Sequence, residues 1–174
     1  EPSGKLYRMD GPDQVVEASH GWTCPNGMGW SPEGTTMYVT DSGLRTIWRY
    51  AYAPNGGTLG ERSVFARFER GVPDGLAVDV EGHVWSALWD DWSIVRLDPA
   101  GVEVARLPVP VQRPTSVAFG GRDLRTLYIT SAAINVGNGG LQAGPLAGAV
   151  FRVRTQVPGR PVPVVRWAAG LALG

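Results

Sequence analysis

The chain has 174 residues, with 16 basic and 16 acidic side chains, so its formal net charge at pH 7 is zero. Binding to nucleic acid or to an anionic membrane relies on clustered positive charge, and this balance argues against both as partners. Glycine (24 residues) and proline (14) are abundant although 43% of the residues are hydrophobic, which indicates a folded chain interrupted by many turns.

The N-terminal segment, the apolar runs and the single cysteine bear on where the protein is located. No basic and then apolar signal segment opens the sequence, and no apolar run reaches the roughly 18 residues of a membrane span, so we expect a soluble, cytoplasmic protein. Cys24 has no second cysteine to pair with and is interpreted as a packing residue. The chain starts with Glu1 rather than Met, as in a processed protein or a fragment.

Two series of similar segments recur along the chain. The first opens with proline and continues into an apolar run, at residues 25–30, 73–78 and 114–119, with spacings of 48 and 41. The second places arginine after an aromatic or aliphatic residue, at Arg8, Arg49, Arg96 and Arg152. Further β-prone runs lie between and after these segments, so each repeat predicts four short strands in roughly 45 residues.

This period is typical of a β-propeller blade. The predicted fold class is therefore all-β, an incomplete propeller ring of about three and a half four-stranded blades in one partial domain. The predicted limits are the end of a blade at 1–24 and blades at 25–72, 73–113 and 114–174. A β-sandwich is the alternative, but it has no strict four-strand period. Because an open ring exposes blade faces, we also expect self-association, which light scattering would detect.

Strand direction predicts where the functional side chains meet. In an antiparallel blade, the entry to the first strand and the turn after the second lie at the same end. Asn26, Asp74 and Thr115 occupy one slot, directly after the proline that opens each first strand. The turns after the second strands add Asp41 and Trp89. We predict that these residues gather at one mouth of the central channel. Thr115, Asp41 and Trp89 are the substrate-channel candidates.

Asn26 and Asp74 offer an amide oxygen and a carboxylate, the hard donors that Ca²⁺, Mg²⁺ and Mn²⁺ prefer. Two ligands do not make a complete site, and a plain turn role, in which each side chain bonds its own backbone, remains open. Asp41 is interpreted as bonding turn backbone or shaping the pocket. A Ser-His-Asp triad around it lacks a convincing base, because the only histidines are His20 and His83.

Several of these segments carry a resemblance to a known family. A resemblance to the senescence marker protein (regucalcin), gluconolactonase and luciferin-regenerating-enzyme-like family lies in residues 25–34, 37–42, 73–79, 82–85, 114–121 and 127–131, which include PNGMGW and PDGLAV. The resemblance implies a six-bladed propeller that hydrolyses sugar lactones or related esters at a divalent metal. It implies calcium as the first choice of ion, with zinc, manganese or magnesium as alternatives.

Carried over by position, Asn26 resembles the family's metal-binding Asn, and Asp74 resembles the Asp that binds metal and serves as general base. The implied mechanism polarises the lactone carbonyl and activates a water beside the carboxylate. The family's third protein ligand, a Glu, has no counterpart in these 174 residues. We therefore expect weak metal affinity unless a partner chain or sequence outside this chain supplies the rest. The alternative is a non-catalytic interaction module or an inactive remnant.

Overall fold

The computed structural model describes residues 2–11, 13–134 and 144–164. Within these ranges the chain forms thirteen β-strands in four antiparallel sheets and a short 3-10 turn at Ser42–Leu44. In the same ranges, no helix has the length and apolar character needed to cross a bilayer. The strands are, in the first sheet, β1 (Gly4–Gly11) and β2 (Gln14–Trp22); in the second, β3 (Pro25–Trp30), β4 (Thr36–Asp41), β5 (Thr46–Ala53) and β6 (Thr58–Arg67); in the third, β7 (Val72–Val78), β8 (Val84–Trp89), β9 (Ser93–Leu97) and β10 (Glu103–Pro108); and in the fourth, β11 (Pro114–Gly120), β12 (Thr126–Ser131) and β13 (Phe151–Arg154).

Every sheet pairs its strands in chain order, so each one is an up-and-down meander. The first strands of the three larger sheets are neighbours, since β3 contacts β7 and β7 contacts β11. This is how propeller blades pack around a central axis, and the all-β prediction of about three and a half blades is confirmed. The β-prone run at 163–167, which the repeat predicts as the fourth strand of the last blade, lies mostly outside the described residues.

The hydrophobic core lies between neighbouring blades. Successive side chains of a strand point to opposite faces, so one strand serves two interfaces. In β4, Met37 and Val39 belong to a cluster shared with the first sheet, whereas Tyr38 belongs to a cluster shared with the third. The Tyr38 ring packs on Phe65 with centroids 4.7 Å apart. Each blade therefore depends on its neighbours for burial.

The first sheet has only two strands, and its Tyr7 side chain is 54% exposed. Self-association through exposed blade faces stays a prediction.

A β-bulge interrupts the first strand of each larger sheet at the predicted slot. The register shifts within residues 25–28 of β3, 73–76 of β7 and 114–116 of β11. A bulge removes a residue from the regular in-and-out alternation and is a common way to re-aim a side chain near an active site. The repeated proline segments thus correspond to a repeated backbone irregularity, and each bulge contains the slot residue.

The glycines that follow the slot residues allow the inner strands to touch. A Cβ on Gly27 would lie 2.6 Å from the carbonyl oxygen of Asp74, and a Cβ on Gly75 would lie 2.1 Å from Ser116 Oγ. Neither position has room for a side chain. The inner strands therefore approach to backbone contact, which brings Asn26 next to Asp74.

We expect Gly27→Ala to lower the free energy of unfolding by about 1–3 kcal/mol, because the added methyl group meets backbone atoms that have little freedom to move. Chemical denaturation checks this value. Gly11→Ala is the matched control, since a Cβ there would be at least 3.7 Å from its neighbours. Equal stability of the two variants would contradict the close approach of β3 and β7.

Candidate metal and catalytic site

Asn26 and Asp74 lie side by side at the start of two adjacent inner strands. The Asn26 side chain and the backbone N–H of Gly75 face the Asp74 carboxylate, and hydrogen bonding from both lowers the pKa of that group. Asn26 Nδ2 also lies 3.4 Å from Ser42 Oγ, to which it donates. Asn26 is exposed, whereas Asp74 is partly buried. The structure therefore brings the two predicted metal ligands together, with the amide nitrogen turned toward protein groups.

Burial changes the acid strength of Asp74. Loss of solvent raises the pKa of this carboxyl from 3.8 to about 6, although the hydrogen bonds from Asn26 and Gly75 act in the opposite direction. At neutral pH the group is still mostly ionised, and it accepts a proton more readily than an ordinary aspartate. The same side chain thus has the charge required of a metal ligand and the basicity required of a general base.

Asp41 ends β4 and is fully buried. Its carboxylate accepts hydrogen bonds from the backbone N–H groups of Thr23, at 3.0 Å, and Cys24, at 2.9 Å. The backbone N–H of Ser42 donates to the Cys24 carbonyl at 2.9 Å. The Asp41–Ser42 turn therefore holds the backbone that leads into Asn26, and these contacts favour the backbone role of Asp41 over the pocket role.

The other two channel candidates lie in the third and fourth sheets. Thr115 Oγ1 shares a hydrogen bond of 2.7 Å with Thr130 Oγ1. Trp89 is partly buried at the end of β8, and the Arg113 guanidinium covers its ring at 4.8 Å from the centroid. Arg113 also pairs with Asp90 at 2.6 Å. The hydroxyl pair has further hydrogen-bonding capacity for a ligand, whereas one face of the Trp89 ring is occupied.

A second polar cluster lies at the opposite end of β7. Asp79, Glu81 and His83 each bring one potential metal-ligating atom within 4.8 Å of the others. Arg96 occupies the space between them: its Nη2 lies 2.7 Å from Asp79 Oδ2, 2.8 Å from Glu81 Oε2 and 3.1 Å from His83 Nδ1. Trp85 Nε1 donates to Asp79 at 2.9 Å. We interpret this cluster as an ion-pair network, because the Arg96 guanidinium already supplies the positive charge. In the sequence, the repeated arginine is the motif that indicates this cluster.

The fold is a partial propeller in which a carboxylate and an amide lie on adjacent inner strands. The chain belongs to the SMP-30/gluconolactonase/LRE-like family: residues 1–133 match the family region described as SMP-30/Gluconolactonase/LRE-like. The predicted family resemblance is confirmed.

Relatives cover nearly all of this chain. It is 40% identical over 164 residues to the pentonolactonase XacC of Haloferax volcanii, which is 91% of this chain and 56% of that protein. It is 38% identical over 163 residues to a 6-deoxy-6-sulfogluconolactonase of Pseudomonas putida, or 92% of this chain and 56% of that protein. A crystal structure of a calcium-binding protein, regucalcin, from Agrobacterium tumefaciens has a TM-score of 0.88 and 31% identity, over 95% of this chain and 57% of that one. The chain thus spans about half the length of the curated relatives it matches.

In the metal-free protein we expect Asp74 to titrate near pH 6 rather than near 3.8. The folded carboxyl holds its proton more tightly than the unfolded one, so the native state binds more protons between about pH 4 and 6. Stability should therefore fall as pH rises through this window, and Asp74→Asn should remove that part of the dependence. Carbon-detected NMR titration and unfolding at several pH values check both statements. A carboxyl that titrates near pH 4 would contradict them.

Proposed function

We propose that this chain belongs to a metal-dependent hydrolase that opens sugar lactones or related esters. The observation that carries the proposal is the contact between Asn26 and the Asp74 carboxylate, whose pKa is raised by burial to about 6. Relatives named as a pentonolactonase and a 6-deoxy-6-sulfogluconolactonase support the choice of substrate class. Their names do not select one sugar, so the proposal extends to sugar lactones as a class.

The donor set fits a hard divalent cation in part. Asn26 Oδ1 and the carboxylate of Asp74 are oxygen ligands, and they lie on strands whose backbones are in contact. Calcium takes about six to eight oxygens, so the remaining ligands would be waters or groups from a partner chain or from sequence outside these residues. We propose calcium because both donors are oxygens and the Agrobacterium neighbour is described as calcium-binding. Zinc, manganese and magnesium remain the alternatives.

The residues of this chain would act on the substrate as follows. A bound cation would polarise the lactone carbonyl and stabilise the negative charge that develops on its oxygen. Asp74 accepts a proton from the attacking water while the water oxygen bonds to the carbonyl carbon. The ring C–O bond then breaks, and Asp74 returns the proton to the leaving ring oxygen, which yields the open hydroxy acid. Asn26 holds the Asp74 carboxylate in place through its amide N–H.

Asp74→Ala is expected to lower lactone hydrolysis by about 100-fold or more, because both the base and the anionic ligand are lost. The rate is measured in the protein as encoded, including any residues outside 1–174, with a panel of sugar lactones. Asp123→Asn is the control, since it removes a charge paired with Arg154 at 2.6 Å in another sheet. Unchanged hydrolysis by Asp74→Ala, with the fold intact by circular dichroism, would overturn the proposed role.

Calcium at millimolar levels is expected to raise the melting temperature in a saturable way, because a ligand that binds only the native state stabilises it. Asn26→Ala should weaken this response, since an oxygen ligand is lost. Asn55→Ala, which removes an exposed amide in the turn between β5 and β6, should leave it unchanged. No shift with any divalent cation and no lactone hydrolysis would instead favour the alternative, a non-catalytic interaction module.

A further inference from the structure

We propose that Ser42 is a positioning residue for the metal site, which it serves by tying the Asn26 side chain to the strand that carries Asp74. This inference rests on the proposed function, and it assigns a role to a residue outside the predicted set of site residues.

Ser42 belongs to the second sheet's turn but contacts the third sheet. Its hydroxyl donates to the Pro73 carbonyl oxygen at 2.7 Å and accepts from Asn26 Nδ2 at 3.4 Å. A hydroxyl has one proton and two lone pairs, so both contacts form together. The Pro73 carbonyl lies in the β7 bulge, where ladder pairing is disturbed. One side chain therefore contacts both strands that supply the proposed ligands.

These two contacts limit the freedom of both ligands. Asn26 is exposed, so without a partner its side chain would sample several rotamers. Donation from Nδ2 to Ser42 leaves Oδ1 as the amide atom available to a cation. The bond to the Pro73 carbonyl restrains the backbone one residue before Asp74. The backbone contact brings the two strands together, and the Ser42 hydroxyl then restrains the position of the two oxygen ligands within that contact.

The same geometry argues against Ser42 as a nucleophile. Its proton is committed to the Pro73 carbonyl, which is not a base that activates a serine. The neighbouring Asp41 carboxylate is occupied by the backbone N–H groups of Thr23 and Cys24. Positioning is the role that these hydrogen bonds leave for the hydroxyl.

The test compares Ser42→Ala with Ser42→Thr, which keeps the hydroxyl, and with Ser31→Ala as a matched control. Ser31 is 6% exposed and accepts a hydrogen bond of 3.2 Å from the Thr36 N–H just beyond the opposite end of β3. Each variant of the protein as encoded is titrated with calcium by calorimetry. The kcat and KM for one lactone are measured at limiting and at saturating calcium.

We expect Ser42→Ala to raise the calcium Kd about tenfold, the lower end of the usual effect of losing a group that orients a metal ligand. Ser42→Thr should stay within about threefold of the natural protein, because the hydroxyl is retained. Ser31→Ala should melt earlier but keep the calcium Kd. At limiting calcium, kcat of Ser42→Ala should fall, saturating calcium should restore most of it, and KM should stay the same.

Two results would overturn the proposal for Ser42 alone: an unchanged calcium Kd in Ser42→Ala, or an equal loss of affinity in Ser31→Ala. Failure of the natural protein to bind any divalent cation would overturn the proposed metal site as well, so the two failures are distinguishable. If Ser42→Ala does not fold, Ser42→Cys replaces it, since a thiol has nearly the same shape but is a weak hydrogen-bond donor. An unchanged calcium Kd in Ser42→Cys would then count against the proposal.

Discussion

Direct contact between the backbones of β3 and β7 is the constraint on which the site depends. The contact exists because Gly27 lies where any side chain would overlap the Asp74 carbonyl. It brings two bulged strands close enough for the Asn26 amide to reach the Asp74 carboxylate. It also brings the Ser42 hydroxyl within reach of the Pro73 carbonyl across the blade boundary. A packing requirement of the fold and the geometry of the proposed ligands therefore have the same origin.

The two ends of β7 show how one strand separates structural from functional carboxylates. Asp79 is fully buried, and Arg96, Trp85 and two backbone N–H groups satisfy its oxygens. Asp74 is partly buried, but among the described residues no arginine or lysine pairs with it. Burial without a cationic partner is unfavourable for a carboxylate, and such groups are concentrated at functional sites. The missing positive charge is what a divalent cation would supply.

Much of this architecture can be predicted from sequence because each blade repeats the same pattern of strands, turns and slot residues. The period predicts the sheets, and the proline segments predict that Asn26 and Asp74 occupy equivalent positions on adjacent strands. Ser42 escapes this reasoning because its partners belong to two different blades, and the distance between blades is set by glycine contacts. The raised pKa of Asp74 likewise depends on burial, which a motif does not encode.

The location of the pair also determines how far the site depends on the rest of the ring. Asn26 and Asp74 belong to the two sheets that have all four strands within the described residues. In a repeat architecture each unit is stabilised mainly by its neighbours, so the backbone approach and the Ser42 hydrogen bonds between these two sheets together hold the two ligands near each other. Groups that complete the coordination of a cation would meet a pair that is already in place. Completing the site would thus change metal affinity more than it changes the geometry of Asn26, Ser42 and Asp74.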